Sequence, residues 1–358
     1  ITPFNFTSIA GNLPTAPAIL GNTVVWKPAS TQLLAAAVII EVLEAAGLPP
    51  GVINMVAGPG AAVSEVALTH PALAGVHFTG STDTFKHLWT TVSDNLDTYR
   101  SYPRLIGETG GKDFVLAHES AAADALLVGL LRGAFEYQGQ KCSAASRAYV
   151  PQSVWQRLRG PLAEATESVP VGDPTDFSVF MGAVIDEAAY RTHESAMSAA
   201  RNDPHLRLVA GGEADRSTGW FVHPTIYETD DPHHDLMQRE LFGPILAVFP
   251  YEDSQWESVL DLVDTTSPYA LTGAVFAEDR RAIDEAAVRL CHAAGNFYVN
   301  DKPTGAVVGQ QPFGGARLSG TNDKAGSALN LVRWVSARSI KETFVPPVDW
   351  RYPHQSPD

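Results

Sequence analysis

The sequence predicts an α/β fold in which helices wrap a parallel sheet, and three observations carry the prediction. Short β-type runs alternate with helical stretches through the first hundred positions. Gly and Pro punctuate the joints between them. The chain is also long and mixed enough to build more than one core, at 358 residues with 45% hydrophobic and 18% charged content.

Thr23-Val24-Val25-Trp26 is the first strand-like run. Residues 31–46 read as a helix that Gly47 and Pro49 end, and Val52-Ile53-Asn54-Met55-Val56 is strand-like again. Residues 61–69 are helical, Gly75-Val76-His77-Phe78-Thr79 is a strand, and after Gly80-Ser81 a helical pattern covers residues 84–96. Alternation on this scale puts ligands at the carboxyl ends of strands, so a nucleotide-binding half is the first reading. No Gly-x-Gly-x-x-Gly fingerprint is present. At the strand-to-helix switch, Gly80 and Ser81 can offer a glycine and a hydroxyl to a pyrophosphate, or simply join two elements. Lys27, at a strand end, can bond to a ribose hydroxyl or stand in solvent.

The formal charge of −15 argues against nucleic acid as a partner, because phosphate backbones repel it. No apolar run approaches ~20 residues, so a spanning helix is excluded and no membrane partner is expected. No internal repeat or metal-ligand spacing is visible. His233-His234, set among Asp231, Pro232 and Asp235, reads as a solvated turn. No metal is expected, and any activation must come from side chains.

Two stretches stand apart: Gly107-Glu108-Thr109-Gly110-Gly111-Lys112 and Gly139-Gln140-Lys141-Cys142-Ser143-Ala144. They place a carboxylate and a thiol in small-residue loops, the minimum for covalent chemistry on a carbonyl. With only two cysteines and no secretory leader in the residues read, a reducing compartment is expected. That means cytoplasm for a bacterial protein and mitochondrial matrix for a eukaryotic one. Cys291 ends the apolar helical pattern Ala286-Ala287-Val288-Arg289-Leu290 and is expected to be buried and inert. Cys142 opens Ser143-Ala144-Ala145-Ser146, read as a short helix start. There the free N–H groups, the helix dipole and Lys141 favour thiolate, and a purely structural cysteine is the other reading. Ile1-Thr2-Pro3-Phe4-Asn5-Phe6 reads as the inside of a fold, so the chain is expected to be a fragment.

Taken in order, Pro3-Phe4-Asn5-Phe6, Trp26-Lys27-Pro28-Ala29, Phe78-Thr79-Gly80-Ser81, the two stretches above, Glu240-Leu241-Phe242-Gly243-Pro244 and Pro312-Phe313-Gly314-Gly315 resemble the aldehyde dehydrogenase superfamily. The likeness runs from the first residue to at least Lys324. Phe85-Lys86-His87-Leu88-Trp89, Ala134-Phe135-Glu136-Tyr137, the run from Ala294 to Lys302 and the run from Val308 to Gly315 are similar to its 1-pyrroline-5-carboxylate dehydrogenase branch, which oxidises glutamate γ-semialdehyde to glutamate. The resemblance implies a partial Rossmann-type domain over 1–108, an α/β catalytic domain over 109–322, and a C-terminal segment over 323–358 that carries an oligomerisation strand.

It also implies roles. Cys142 attacks the aldehyde, the oxyanion sits between the Asn5 amide and the Cys142 N–H, and Glu108 activates the water that clears the thioester. Lys27 bonds to the adenosine ribose, Gly80 and Ser81 lie near the pyrophosphate, Glu240 grips the nicotinamide ribose and Phe242 lies against the ring region. Many members carry an acidic residue where this chain has Ser30. NAD is the expected cofactor, and the uncharged Ser30 leaves NADP as the alternative. Ser143 and the amides of Gly305-Ala306 would hold the carboxylate of a short semialdehyde, with Phe6 and Phe313 walling its stem.

Residues 331–345 alternate as an edge strand, which related enzymes pair with a neighbouring subunit, so a homodimer or larger homo-oligomer is expected. The stretch from Pro346 to Asp358 is expected to be a surface extension. Three alternatives stay open at this point: a dehydrogenase for another short semialdehyde, a nucleotide-independent thiol esterase using the same thiol and base, and an inactive module detached from a larger protein.

Overall fold

The structure, a computed structural model, describes residues 1–307 and 309–355. Val308 of the Val308–Gly315 motif and residues 356–358 of the expected surface extension lie outside the described residues.

The first unit alternates α1 (Thr7–Ile19), β1 (Val24–Trp26), α2 (Leu33–Ala45), β2 (Ile53–Met55), α3 (Gly60–Ala67), β3 (Gly75–Thr79), α4 (Thr82–Asp94) and β4 (Arg104–Glu108); β1 to α4 follow the patterning, and α1 and β4 are additional to it. The helix expected from residue 84 starts at Thr82 because Ser81 caps it, its Oγ accepting the Thr84 N–H at 3.3 Å. β1 pairs with β2 and β3 with β4, both parallel. Residues 1–2 fill the gap between these pairs. Thr2 N–H donates to Lys27 O (3.2 Å), Ala29 N–H to Thr2 O (2.9 Å), the Ile1 amine to His77 O (2.8 Å) and Thr79 N–H to Ile1 O (3.1 Å). This is a parallel ladder on both sides, and it gives the order β2, β1, residues 1–2, β3, β4. The carboxyl ends of β1 and β3 therefore share one edge.

The chain leaves this sheet at Glu108 and enters a second one five residues later, at Asp113. There follow β5 (Asp113–Ala117), α5 (Ala123–Phe135), β6 (Ala145–Pro151), α6 (Gln152–Glu167), α7 (Glu187–Ala200), β7 (Leu206–Ala210), β8 (Ala214–Asp215), β9 (Phe221–Val222), β10 (Thr225–Thr229), α8 (Asp235–Gln238), β11 (Ile245–Tyr251), α9 (Trp256–Thr265), β12 (Tyr269–Ala270), β13 (Thr272–Phe276), α10 (Arg280–Arg289), β14 (Asn296–Val299), β15 (Ala316–Arg317) and α11 (Ala328–Leu331). Seven of these strands form one sheet, ordered β14-β13-β5-β6-β11-β10-β7, parallel except for β7.

Both faces of that sheet are apolar because helices cover both. On β5, Phe114 and Leu116 join Tyr190 and Met197 of α7 and Val259 and Val263 of α9 on one side. Val115 and Ala117 point the other way, to Leu126 and Leu130 of α5 and Leu158 and Leu162 of α6. Each fully buried Leu of this kind contributes about 1.5–3 kcal/mol, so the strands that carry the site loops are held rigidly.

Two expectations are corrected here. Cys291 is exposed, not buried. The helix α10 stops at Arg289, and in the turn beyond it Leu290 and Ala293 face inward while Cys291 faces out. The expected edge strand over 331–345 is also absent. Leu331 closes α11, residues 332–334 form a 3₁₀ turn, and no strand follows among the described residues. Trp334 is drawn onto the first unit instead, with its ring 4.9 Å from that of His77 and its carbonyl accepting from Asn22 Nδ2 at 3.0 Å. Beyond it the stretch is exposed, and a single chain offers its N–H and C=O groups no neighbouring ladder.

Candidate active site

Beyond α5 the backbone takes three consecutive left-handed residues, Tyr137 (φ 56), Gln138 (φ 56) and Gly139 (φ 63). Each non-glycine residue in that region costs roughly 1–2 kcal/mol, so neighbours must hold the turn. Gln138 Oε1 accepts the Gly182 N–H and Gln140 Oε1 the Ile185 N–H, both at 3.0 Å, while Phe6 stacks on Tyr137 with centroids 6.3 Å apart. A Cβ at Gly139 would lie 2.6 Å from Gly243 O and 2.7 Å from Ala134 O, both rigid backbone atoms. Gly139→Ala is expected to destabilise the fold by about 2–4 kcal/mol, read from the urea midpoint at unchanged m-value.

The turn delivers Cys142 to a buried position at the mouth of β6. No helix starts there: residues 142–143 form a turn and β6 begins at Ala145. The expected helix dipole is therefore missing. The Lys141 ammonium is also turned away, 2.9 Å from Glu136 Oε2. Burial pushes the Cys142 thiol well up, and the carboxylates of Asp113, Glu240 and Glu108 push it further. These surroundings favour the thiol over the thiolate, the reverse of the expectation drawn from its sequence neighbours.

Around it, the Gly110-Gly111 loop packs as closely as glycine allows. A Cβ at Gly111 would lie 2.5 Å from Cys142 O and 2.3 Å from Asp113 Oδ2. Asn5 Nδ2 donates to Gln140 O at 3.0 Å, which ties the first residues to the nucleophile turn. A primary amide carries two N–H donors, so one remains beyond this bond. Glu108 ends β4, where Gly315 N–H donates to its Oε2 at 3.1 Å. Burial raises its pKa well above the usual carboxylate range. The Gly315 N–H and Lys324 oppose that shift, and Asp323 adds to it. Lys324 in turn bridges Gly295 O (2.6 Å) and Gly314 O (2.9 Å), fixing the turn that bonds to Glu108.

Glu240 is half-buried against the Gly110-Gly111 loop. Its Oε1 accepts the Gly111 N–H at 2.9 Å, and burial lifts its pKa to about 7 against the pull of that N–H and Lys112. Lys112 is buried with Nζ 3.2 Å from Ser146 O, and burial followed by the Arg147 charge brings it down to about 7. Phe242 sits in a left-handed conformation (φ 56) with its ring edge-on to Phe4 at 5.9 Å.

On the far side, Ser143 Oγ and Thr304 Oγ1 are 2.7 Å apart and buried, which sets the nucleophile turn against the loop that contains Gly305 (φ +88) and Ala306. Phe313 is held by a two-way backbone bridge to Ala325. At the sheet edge, Lys27 Nζ donates to its neighbour's carbonyl, Pro28 O, at 3.0 Å. Ser30 is exposed, and Gly80 and Ser81 lead into the 13-residue helix α4. Asp83 in that first turn is exposed, 3.9 Å from Lys86. An ammonium, a hydroxyl and the first N–H groups of a long helix on one parallel-strand edge suit a dinucleotide.

The structure thus brings Cys142, Asn5, Glu108 and Ser143 into one neighbourhood and puts Lys27, Ser30, Gly80 and Ser81 on the adjoining edge. Sequence reasoning missed Asp113, Lys324 and Thr304. Only the position of Thr304 beside Gly305-Ala306 carried a signal.

The aldehyde dehydrogenase family model matches residues 1–339. The delta-1-pyrroline-5-carboxylate dehydrogenase of Dictyostelium discoideum is 51% identical over 99% of this chain and 64% of its own length. The human protein of that name is 49% identical over 98% of this chain and 63% of its own. A solved structure of the Mycobacterium tuberculosis delta-pyrroline-5-carboxylate dehydrogenase bound with NAD is 60% identical, with a TM-score of 0.94 over 99% of this chain and 65% of that one. The chain therefore spans just under two thirds of the relatives it matches.

Proposed function

Because the chain belongs to the aldehyde dehydrogenase family, we propose that it carries out the NAD-dependent oxidation of L-glutamate γ-semialdehyde, the open form of 1-pyrroline-5-carboxylate, to L-glutamate in proline breakdown. The observation that supports this most is the meeting of Cys142, Asn5 and Glu108 beside a dinucleotide-suited edge.

Cys142 Sγ attacks the aldehyde carbon, and its proton passes to a carboxylate; burial raises the pKa of Glu108, so its ionised form is a stronger base than an ordinary carboxylate and takes that proton. The oxyanion accepts from the free Asn5 N–H and the Cys142 backbone N–H, and losing one such donor typically costs about 2.7–4 kcal/mol of barrier. NAD, held by Lys27, Ser30, Gly80, Ser81, Glu240 and Phe242, supplies the acceptor for the hydride that leaves this carbon. The thioester left on Cys142 is cleared by a water that Glu108 deprotonates. Ser143, Gly305 and Ala306 hold the substrate carboxylate, with Phe6 and Phe313 along its stem.

The same reading assigns residues 1–108 to a nucleotide-binding domain, 109–322 to a catalytic domain and 323–358 to a segment that pairs with a second copy in a homo-oligomer. It also places the protein in cytoplasm or mitochondrial matrix. NADH formation by the full-length protein, with pyrroline-5-carboxylate and succinate semialdehyde side by side, tests it. The first should be preferred. Preference for the second overturns the substrate, and NADH from neither overturns the dehydrogenase.

A further inference from the structure

Three charged side chains next to the nucleophile turn have no part in the chemistry above. Glu136, the first residue past α5, accepts Lys141 Nζ at 2.9 Å and Lys302 Nζ at 2.5 and 2.6 Å on its two oxygens. All three are largely covered, with side-chain exposures of 25%, 10% and 23% respectively. Two ammoniums on one carboxylate leave one net positive charge in a poorly hydrated place. Lys141 precedes Cys142, and Lys302 opens the loop that continues into Thr304, Gly305 and Ala306. The Lys302 Nζ lies 3.6 Å from where a Cβ at Gly305 would stand. A second link, Ser143 Oγ to Thr304 Oγ1 at 2.7 Å, joins the same two segments. Close to the triad, Gly133 of α5 lets Pro303 and Lys302 approach, its own Cβ position being 3.3 and 3.5 Å from them.

We propose that Lys302, clamped with Lys141 on Glu136, is a positioning residue that sets the distance between the Cys142 sulfur and the Gly305 turn and lends that turn a net positive charge, and so selects aldehydes that end in a carboxylate. The inference rests on the semialdehyde reading and deepens it. A carboxylate received at the Gly305 turn has an ammonium close by, Lys302 Nζ standing 3.6 Å from the Gly305 Cβ position, and a charge-assisted contact is stronger than backbone N–H groups alone. A neutral aldehyde of the same length gains nothing from the charge.

The test compares glutamate γ-semialdehyde with pentanal, of equal chain length and uncharged, in the wild-type holoenzyme, Lys302→Met and Lys302→Arg. In Lys302→Met, KM for the semialdehyde is expected to rise about tenfold, the size of one charge-assisted hydrogen bond, with kcat lowered less than about threefold. The preference for semialdehyde over pentanal then falls about tenfold. Lys302→Arg, which keeps charge and bidentate reach, restores most of it. Equal losses on both substrates, or no rescue by Arg, overturn the clamp while leaving the dehydrogenase standing. A wild type with no preference for the semialdehyde overturns the substrate reading and the clamp with it. Should Lys302→Met not fold, Lys302→Gln, which still donates to Glu136, is expected to show the same shift in preference.

Discussion

Cys142→Ala is expected to lower aldehyde-dependent NADH formation by about 10⁴-fold or more in kcat, the scale on which removing a covalent nucleophile acts. The side chain is small and buried in a turn, so the folded state loses little packing and the thermal midpoint should move by only a few degrees. Cys142→Ser puts a hydroxyl of similar shape in place of the thiol but raises the cost of forming the anion, and it should fall almost as far. The exposed Cys291 is the control: Cys291→Ser should turn over at the wild-type rate. Steady-state NADH formation on the four proteins decides it. Substantial turnover in Cys142→Ala would remove the covalent route altogether. Burial and three nearby carboxylates also hold the thiol protonated, so alkylation of Cys142 by iodoacetamide should be slow at neutral pH and accelerate as pH rises.

The second large effect separates the two halves of the reaction. Glu108→Gln retains an oxygen for the Gly315 N–H but cannot take a proton from water. Hydrolysis of the thioester should fall by roughly 10²–10⁴-fold, the usual reach of general base catalysis. If another group can receive the thiol proton, a burst of NADH near one equivalent per site precedes the stall. If Glu108 alone receives it, the burst disappears as well. A rapid-mixing trace distinguishes these, and wild-type turnover in Glu108→Gln would eliminate Glu108 as the base.

The same substitution has an opposite consequence for stability. Burial raises the folded pKa of Glu108 above its unfolded value, so the fold favours the protonated carboxyl. The stability linked to that proton is complete below the ordinary carboxylate pKa and is lost as pH climbs through the raised value. Gln carries no such penalty. Glu108→Gln should therefore unfold at higher urea than wild type at about pH 8, with the gap closing towards about pH 4. A variant that is inactive yet more stable only on the alkaline side marks strain kept for function rather than damage.

Much of the nucleotide-binding half was legible because its signals are local. The apolar runs at 23–26, 52–56 and 75–79 and the helical patterns between them fall within two or three residues of the observed elements, since each is specified by neighbours in the chain. The thiol and the carboxylate were legible for a different reason: each stands in a glycine-bearing loop with a distinctive neighbourhood. The failures share a cause too. Cys142 was assigned a helix start and a thiolate from Lys141 and the small residues after it, but a strand follows, and Asp113, Glu240 and Glu108 come from other parts of the chain. Cys291 was assigned to the core by periodicity, yet its helix ends two residues before it. Alternation at 331–345 recorded a capacity to pair, and pairing needs a second strand in reach.

Read alone, the residues picked out Cys142 and Glu108 as chemically capable, with Asn5 added by the family resemblance, and gave the alternation that makes the fold α/β. They could do so because side-chain chemistry and hydrophobic period are properties of residues and their near neighbours. Only the tertiary structure decided that the thiol rests protonated, that residues 1–2 complete a sheet, and that Lys302 reaches Glu136 across 166 positions. Desolvation and Coulomb interaction depend on distance in space, and that distance is set by how the whole chain packs.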